Sequence, residues 1–454
     1  MKPTSSKTAL LRVIFLLVAV CLAQQAQAVP SYARQTGLAC NACHTIAPQL
    51  NAFGRYFKLH GYVLGPDKLS GGSNQLSIDK FPPLSAMMII SDTQTSKSQP
   101  DSAVTGAGAQ NGSVAFPQQL SMFYAGAIGD HMGAFAQITY EQPADHFSID
   151  NTDIRYARDV NWDSHSLVWG VTLNNNPTVQ DVWNSTPAWG YPFISSGAAP
   201  GPAAAPLLAG ALAQNVAGIG GYGWLDNSWY GEVSLYRSSQ AGSAQPLDST
   251  ATGVISNVAP YERFAWEHAW AGQQGQNDLE VGVMAMNVHQ FPGNTHPLFG
   301  ATDNYRDTGV DAQYQYITGT DSLAVHADYI HEQQDLNASS QLGLSGPSDH
   351  LNYWNVNASY YWDGAYGPSL GYFNTSGSTD VVLYAPAPFS GSGTGSPDSS
   401  GWIAQWVWLP TMNVQVTAQY VVYSKFNGAS TNYDGSGRNA SDNNTLYLAL
   451  WLLW

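Results

Sequence analysis

Apolar and polar positions exchange at every step along most of this chain. In residues 352–361, NYWNVNASYY, Trp354, Val356, Ala358 and Tyr360 share one face and Asn355, Asn357 and Ser359 the other. Residues 412–420, MNVQVTAQY, set Met412, Val414, Val416, Ala418 and Tyr420 against Asn413, Gln415, Thr417 and Gln419. Residues 308–316 repeat the rule, with Asp311, Gln313 and Gln315 opposite Val310, Ala312, Tyr314 and Tyr316. A period of two marks an extended strand whose two faces meet different surroundings. A β-sandwich alternates too, but Trp and Tyr gathered on the apolar face near strand ends suit a membrane barrel. The closing run NNTLYLALWLLW puts Leu446, Leu448, Leu450, Leu452 and Trp454 on one face. That strand is an aggregation hazard in water and an ordinary closing strand in lipid.

The alternation predicts sixteen strands, near 84–93, 117–128, 132–141, 152–158, 165–174, 214–224, 228–237, 261–270, 279–289, 308–317, 322–331, 352–362, 366–374, 402–408, 412–423 and 444–454. An even number returns both ends of the chain to one side, as in bacterial barrels. The connections alternate in length. Turns such as GDHM, DVNWDS, LDNS, TGTD, DGAY and LPT fall on one side, and Gly/Ser/Asn-rich loops on the other. The expected fold is all-β: an outer-membrane antiparallel β-barrel of about 16 strands over 81–454, in a lipid bilayer, with N- and C-termini on the periplasmic side. One long connection differs. Residues 174–193, NNNPTVQDVWNSTPAWGYPF, are rich in Asn, Pro and aromatics and poor in charge. They are expected to fold into the lumen, the alternative being an outer lid.

Composition narrows the picture. Charged residues are 11% of the chain, against about 25% in soluble proteins. A formal net charge of −16 excludes nucleic acid as a partner, because phosphate backbones attract basic surfaces. Residues 1–28 place Lys2, Lys7 and Arg12 ahead of an apolar run, Val13–Leu22, and close on Ala26-Gln27-Ala28. This is the pattern of a secretory signal peptide, so the mature chain is expected to begin at Val29. Cys21 leaves with it, and Cys40 and Cys43 become the only cysteines.

Those two stand in GLACNACH, residues 37–44. Cys-x-x-Cys-His is the attachment pattern of haem c. Two thioethers hold the vinyl groups at Cys40 and Cys43, and His44 ligates the iron. A structural zinc site needs further ligands, and a redox dithiol a βαβ frame, and neither pattern is present. One covalently bound haem c is therefore expected in a segment spanning 29–80. A domain of about 60 residues is already marginal, so this shorter segment should plug or abut the barrel lumen to find burial. PQLNAFGRYFKLHGY carries Leu50, Phe53 and Phe57 near helical spacing, predicting a short helix against the haem. Arg55 and Lys58 are candidate propionate partners. The sixth iron ligand is open among Met87, Met88 and His60, and only one of the adjacent methionines can face the lumen.

ARQTGLACNACHTIAPQLNAFGRYFKLHGY resembles the haem segment of the fused monohaem cytochrome c–porins of iron-oxidising bacteria, and NNNPTVQDVWNSTPAWGYPF resembles a stretch of their barrels. The resemblance implies an outer-membrane Fe(II) oxidase. Iron outside gives an electron to the haem, which passes it to a periplasmic cytochrome c or cupredoxin. Cys40, Cys43 and His44 carry over to haem attachment and axial ligation.

Three functions compete. The first is this Fe(II)-oxidising oxidoreductase, which suits a donor whose oxidised product precipitates. The second is a solute porin whose haem senses or gates. The third is an electron conduit for a different donor. Hard oxygen ligands would hold Fe(II) transiently. The lumen-parity acids are Asp153, Glu232, Glu267, Glu280, Asp311 and Asp328, with Asp181 in the unusual loop. Asp181, Asp153 and Asp328 are the candidate iron contacts, and each could equally be ordinary lining.

Overall fold

A computed structural model describes residues 29–64, 83–99, 111, 114–141, 145–239, 254–292, 300–411 and 413–454. The signal peptide expected at 1–28 and the end of the haem segment, 65–80, lie outside the described residues.

The N-terminal segment comes first. It folds as helix α1 (Pro30–Thr36), a 3-10 turn (Cys40–Ala42), a hairpin of β1 (His44–Ile46) and β2 (Gln49–Leu50), and helix α2 (Ala52–Leu59). Then come β3 (Leu84–Thr95), β4 (Val114–Gly129), β5 (Met132–Glu141), β6 (His146–Trp162), β7 (His165–Asn174), β8 (Val216–Leu225) and β9 (Trp229–Ser238). The short β10 (Val254–Ile255) adds a rung at the end of β12. The rest are β11 (Ala259–Ala271), β12 (Gln276–Phe291), β13 (Asp303–Ile317), β14 (Ser322–Asp335), β15 (Ser348–Tyr361), β16 (Tyr366–Gly377), β17 (Ser399–Thr411), β18 (Val414–Lys425) and β19 (Thr445–Leu453).

Every predicted strand is present. All barrel pairings are antiparallel, and the ring closes where β19 meets β3, with Leu453 opposite Met87 and Thr445 opposite Thr95. Across β9 and β11, Trp229 stands opposite Trp266. A closed ladder leaves no edge, which a wall in hydrocarbon requires, because each unpaired peptide group there costs several kcal/mol. Sixteen wall strands result among the described residues, β10 being too short to span. Several run past their predicted ends, such as β6, predicted at 152–158, and β13, predicted at 308–317. The β13 extension is polar on both faces (Asp303, Asn304, Arg306, Asp307), and in β6 a register shift opposite Ala136–Ile138 changes the parity, so neither extension reads as continued alternation.

The predicted faces also hold. Asn355, Asn357 and Ser359 are buried inward while Trp354, Val356 and Tyr360 are exposed outward. Leu446, Leu448 and Trp454 likewise face out. The outer wall is thus apolar, as a lipid-facing barrel needs. Short turns gather at one end. At Asp363 and Gly364 both residues take positive φ, 53° and 56°, the backbone of a tight hairpin turn that Asp-Gly favours.

The described part of this N-terminal segment lies inside the barrel at the short-turn end. Gln35 donates to the Ala125 carbonyl at 2.8 Å, Tyr32 to Ala134 at 2.8 Å, and Ser322 to Thr45 at 3.1 Å. Tyr222 donates to the Leu59 carbonyl at 2.7 Å. The wall supplies the burial that so short a chain cannot generate alone. From the long-loop end, residues 175–215 descend into the lumen as expected, with Val179, Val182 and Trp183 fully buried. The backbone N–H of Leu50 donates to the Trp183 carbonyl at 2.8 Å, so plug and loop meet inside the barrel.

Candidate functional site

The site is built on the turn between α1 and the hairpin. The N–H of Cys43 donates to the Cys40 carbonyl at 3.0 Å, closing the 3-10 turn. Asn51 then staples this turn to α2. Its Oδ1 caps the helix by accepting from the Gly54 N–H at 3.0 Å. Its Nδ2 donates to the carbonyls of Asn41 and Ala42 at 3.2 and 3.0 Å. Gly54 makes the close approach possible: a Cβ there would stand 2.2 Å from the Cys43 carbonyl oxygen. Both cysteines are free, and burial pushes their thiols up, Cys40 to about 12 and Cys43 to about 11.

His44 is held by its neighbours. Nδ1 lies 3.1 Å from the Pro48 carbonyl and 3.2 Å from that of Gln49. Two acceptors on one nitrogen place the proton there and leave Nε2 with its lone pair free. No described residue hydrogen-bonds Nε2. Burial lowers the pKa of the ring, against the two carbonyls, and favours the neutral form that ligates metal.

The ring lines a cavity of about 380 Å³, within the range of roughly 300–1,000 Å³ usual for bound ligands. Its walls include Cys43, Met87, Phe123, Phe135, Trp189 and Trp451. The aromatics pack on one another: Phe135 and Trp189 have centroids 5.8 Å apart, and Phe193 and Trp451 6.0 Å. The plug, the wall and the inward loop each supply part of this lining, so the cavity exists only in the assembled barrel.

The predicted residues divide. Met87 is 5% exposed and lines the cavity with His44. Met88 alternates to the outer face. His60 lies outside the cavity; its Nε2 is 2.8 Å from Asp159 and its ring stacks on Tyr56 at 3.7 Å. Lys58 lines the cavity, and its ammonium donates to the carbonyls of Val179 and Asp181 at 2.7 Å each and to Asn184 Oδ1 at 2.6 Å. Burial pushes its pKa down to about 7. Arg55 is turned away from the cavity. It pairs with Glu267 at 2.9 Å and Asp278 at 3.1 Å, and its guanidinium lies 4.1 Å over the Trp183 ring. Phe53 departs from the expected apolar face and is 36% exposed. Leu50 precedes the helix, so the spacing 50, 53, 57 spans two elements and carries no single helical phase.

The candidate iron contacts do not converge. Asp153 pairs with Arg155 at 2.6 Å and accepts from Tyr62 and Thr172 at 2.7 Å each. Asp181 pairs with Arg263 at 3.0 Å and caps the N–H groups of Ser185 and Thr186. Burial alone would raise its carboxyl, but the Arg263 and Lys58 charges and those N–H groups hold it below the ordinary value. Asp328 lies 3.8 Å from His326. Among the described residues no three His, Cys, Asp or Glu side chains come together as a metal site. Asn51 and Gly54 escaped the sequence reading, although Asn directly before AFGRYFKL is a helix-start signal.

No protein-family model matches the chain, and no curated protein matches it. Solved structures resemble it at low identity. Salmonella typhi OmpF in complex with daunomycin is 13% identical, at TM-score 0.45, over 82% of this chain and 97% of that one. An anion-selective porin from Comamonas acidovorans is 11% identical, at TM-score 0.45, over 82% and 98%. OprB of Pseudomonas putida is 10% identical, at TM-score 0.46, over 82% and 93%. At these values the barrel rests on its own strand pairing, and substrate and cofactor on the residues of the site.

Proposed function

We propose that the chain is an outer-membrane electron-transfer protein: a monohaem c-type cytochrome housed inside a porin-like barrel, taking electrons from Fe(II) outside the cell. The observation that carries this reading is His44. Its Nε2 has no hydrogen-bond partner among the described residues and lines a largely apolar cavity, one residue from Cys43, with Met87 in the same lining.

The residues present fit a haem c. Cys40 and Cys43 are both free thiols at the required spacing, and the wall is largely aromatic and aliphatic. Such a group supplies a single one-electron couple, matching Fe(II)/Fe(III). The chain's own residues do the rest. Pro48 and Gln49 fix the His44 tautomer, Asn51 and Gly54 fix the turn that carries the cysteines, and Phe123, Phe135 and Trp189 exclude water. Of the three candidates Met87 alone lines the cavity with His44, and it would be the second residue to hold the iron of a bound haem. Asp181 and Asp153 serve as supports of loop and plug, and Fe(II) is read as a substrate approaching from the long-loop side. The short-turn end, with both chain termini, faces the periplasm and a cytochrome c or cupredoxin acceptor.

A solute porin is the second reading, and the porin-like barrel is what favours it. Against it stand the buried bonds joining plug to loop inside the lumen. A conduit for another donor shares the same site and differs only in what reduces it. The test is to mix oxidised, haem-loaded protein with Fe(II) and follow the haem absorbance. Rapid reduction is expected; a haem that stays oxidised with Fe(II) yet accepts electrons from another donor sinks the iron assignment and keeps the conduit.

A further inference from the structure

The short-turn mouth carries a surface that the cavity does not use. Helix α2 buries Gly54, Arg55, Phe57, Lys58 and Leu59 and leaves Phe53 and Tyr56 36% and 44% exposed. Leu38, two residues before Cys40, is 37% exposed. These three apolar side chains belong to the plug, and His60, just past α2 with its ring stacked on Tyr56, reaches Asp159 near the end of β6. The plug thus shows an apolar face at the mouth.

The rim around it is acidic. The turns and strand ends at this mouth bring Asp130, Asp159, Asp163, Asp226, Asp321 and Asp363, against the exposed guanidiniums of Arg34 and Arg158. Two rim carboxylates are held ionised by local donors. Asp226 faces His165 at 2.7 Å and accepts from the Ser166 N–H at 2.9 Å, which lowers its pKa. Asp321 accepts from the Asp363 N–H at 3.0 Å and the Tyr360 hydroxyl at 2.7 Å, with the same effect.

We propose that this mouth is the docking surface for a small electron-carrier protein of basic surface, which sets an apolar contact patch on Leu38, Phe53 and Tyr56 and its lysines opposite the aspartate rim. The inference rests on the electron-transfer reading and adds the partner's charge and the place where it binds. An apolar centre with a charged rim is the anatomy of a protein interface. A centre of three side chains fits the small, transient contacts of redox partners rather than a permanent assembly. A rim of one sign steers the opposite charge, raising association by about 10- to 1,000-fold in a salt-dependent way. The partner must also leave after each electron, which a weak, screened contact permits.

The experiment uses the full-length, haem-loaded protein in nanodiscs and a zinc-substituted basic c-type cytochrome, so that binding is read without electron transfer. An acidic carrier of similar size is the comparison. We expect binding to the basic probe alone, weakening by about tenfold or more between low salt and physiological ionic strength. The combined change Asp130→Lys, Asp163→Lys and Asp363→Lys should slow association at least tenfold. Tyr56→Ala should weaken binding at every salt concentration. Equal binding of the acidic carrier, or indifference to charge reversal in a correctly assembled barrel, overturns the proposal. Binding that follows the charges in a protein whose haem Fe(II) fails to reduce would keep the docking surface and lose the iron reading. Reduction by Fe(II) without any binding of the basic probe would do the reverse.

Discussion

Arg55→Ala should release the plug without harming the barrel. Arg55, in the plug, touches two wall carboxylates, Glu267 at 2.9 Å and Asp278 at 3.1 Å, with side-chain exposures of 4%, 6% and 1% for the three groups. It also donates to the Leu50 carbonyl at 3.1 Å and covers Trp183, which itself donates to Glu267 at 2.8 Å. Removing one partner of a buried pair leaves the other charge stranded, at about 3–5 kcal/mol. The exposed pair Lys97–Asp442, 3.4 Å apart, is the control, worth about 0–1 kcal/mol. The barrel ladder loses no bond in either variant. The penalty for Arg55→Ala therefore falls on local opening of the plug, raising its open population by about 100- to 3,000-fold. Hydrogen exchange at residues 44–60 measures it, with electrophoretic heat-modifiability reporting barrel integrity. Protection within tenfold of wild type would refute the claim that these ion pairs anchor the plug.

Three shorter predictions follow from the site. Cys40→Ala should abolish covalent haem attachment while the barrel still assembles, read by haem staining of the folded band. Met87→Leu should change the oxidised haem spectrum and lower the reduction potential, since Met ligation raises it, whereas Met88→Leu, on the outer face, should change neither. Gly54→Ala forces a Cβ to within 2.2 Å of the Cys43 carbonyl oxygen and should cost about 1–3 kcal/mol in plug docking, with reduced haem loading as the readout.

The barrel was legible in the sequence because lipid and lumen impose a period of two on every strand, as Trp354 to Tyr360 and Leu446 to Trp454 show. Strand ends were not, because polar residues on both faces, as in β13 from Asp303 to Asp307, or a register shift, as in β6, break the apolar–polar period. Cys40, Cys43 and His44 were singled out by spacing alone, and the structure sets Cys43 and His44 on one cavity wall. The roles of Arg55, Asp153 and Asp181 stayed hidden, since a lumen-facing charge reads the same in sequence whether it meets an ion, a cofactor or a matching charge. That matching is made across long distances in the chain: Arg55 with Glu267, and Asp181 with Arg263. Met87 and Met88 illustrate the middle case, where alternation says that only one faces inward and closure of β3 on β19 decides which.

The filled lumen bears on what crosses this wall. Arg263 is held by Asp181 at 3.0 Å, Glu280 at 2.8 Å and Asp311 at 2.8 Å, and Lys58 is bound to loop carbonyls from the plug side. A solute passing between loop and wall would have to part such buried pairs, each separation costing several kcal/mol. An electron requires no such parting, and a redox group held inside the roughly 30 Å of hydrocarbon would shorten the gap it must cross. Under the proposed function the wall passes electrons and not solutes, and conductance decides between the two readings. Single molecules in planar bilayers should show far less current than an open porin, and deletion of residues 179–189 should raise it sharply. A large, steady current through the unaltered protein would mean that plug and loop leave a path, and the solute reading would then stand.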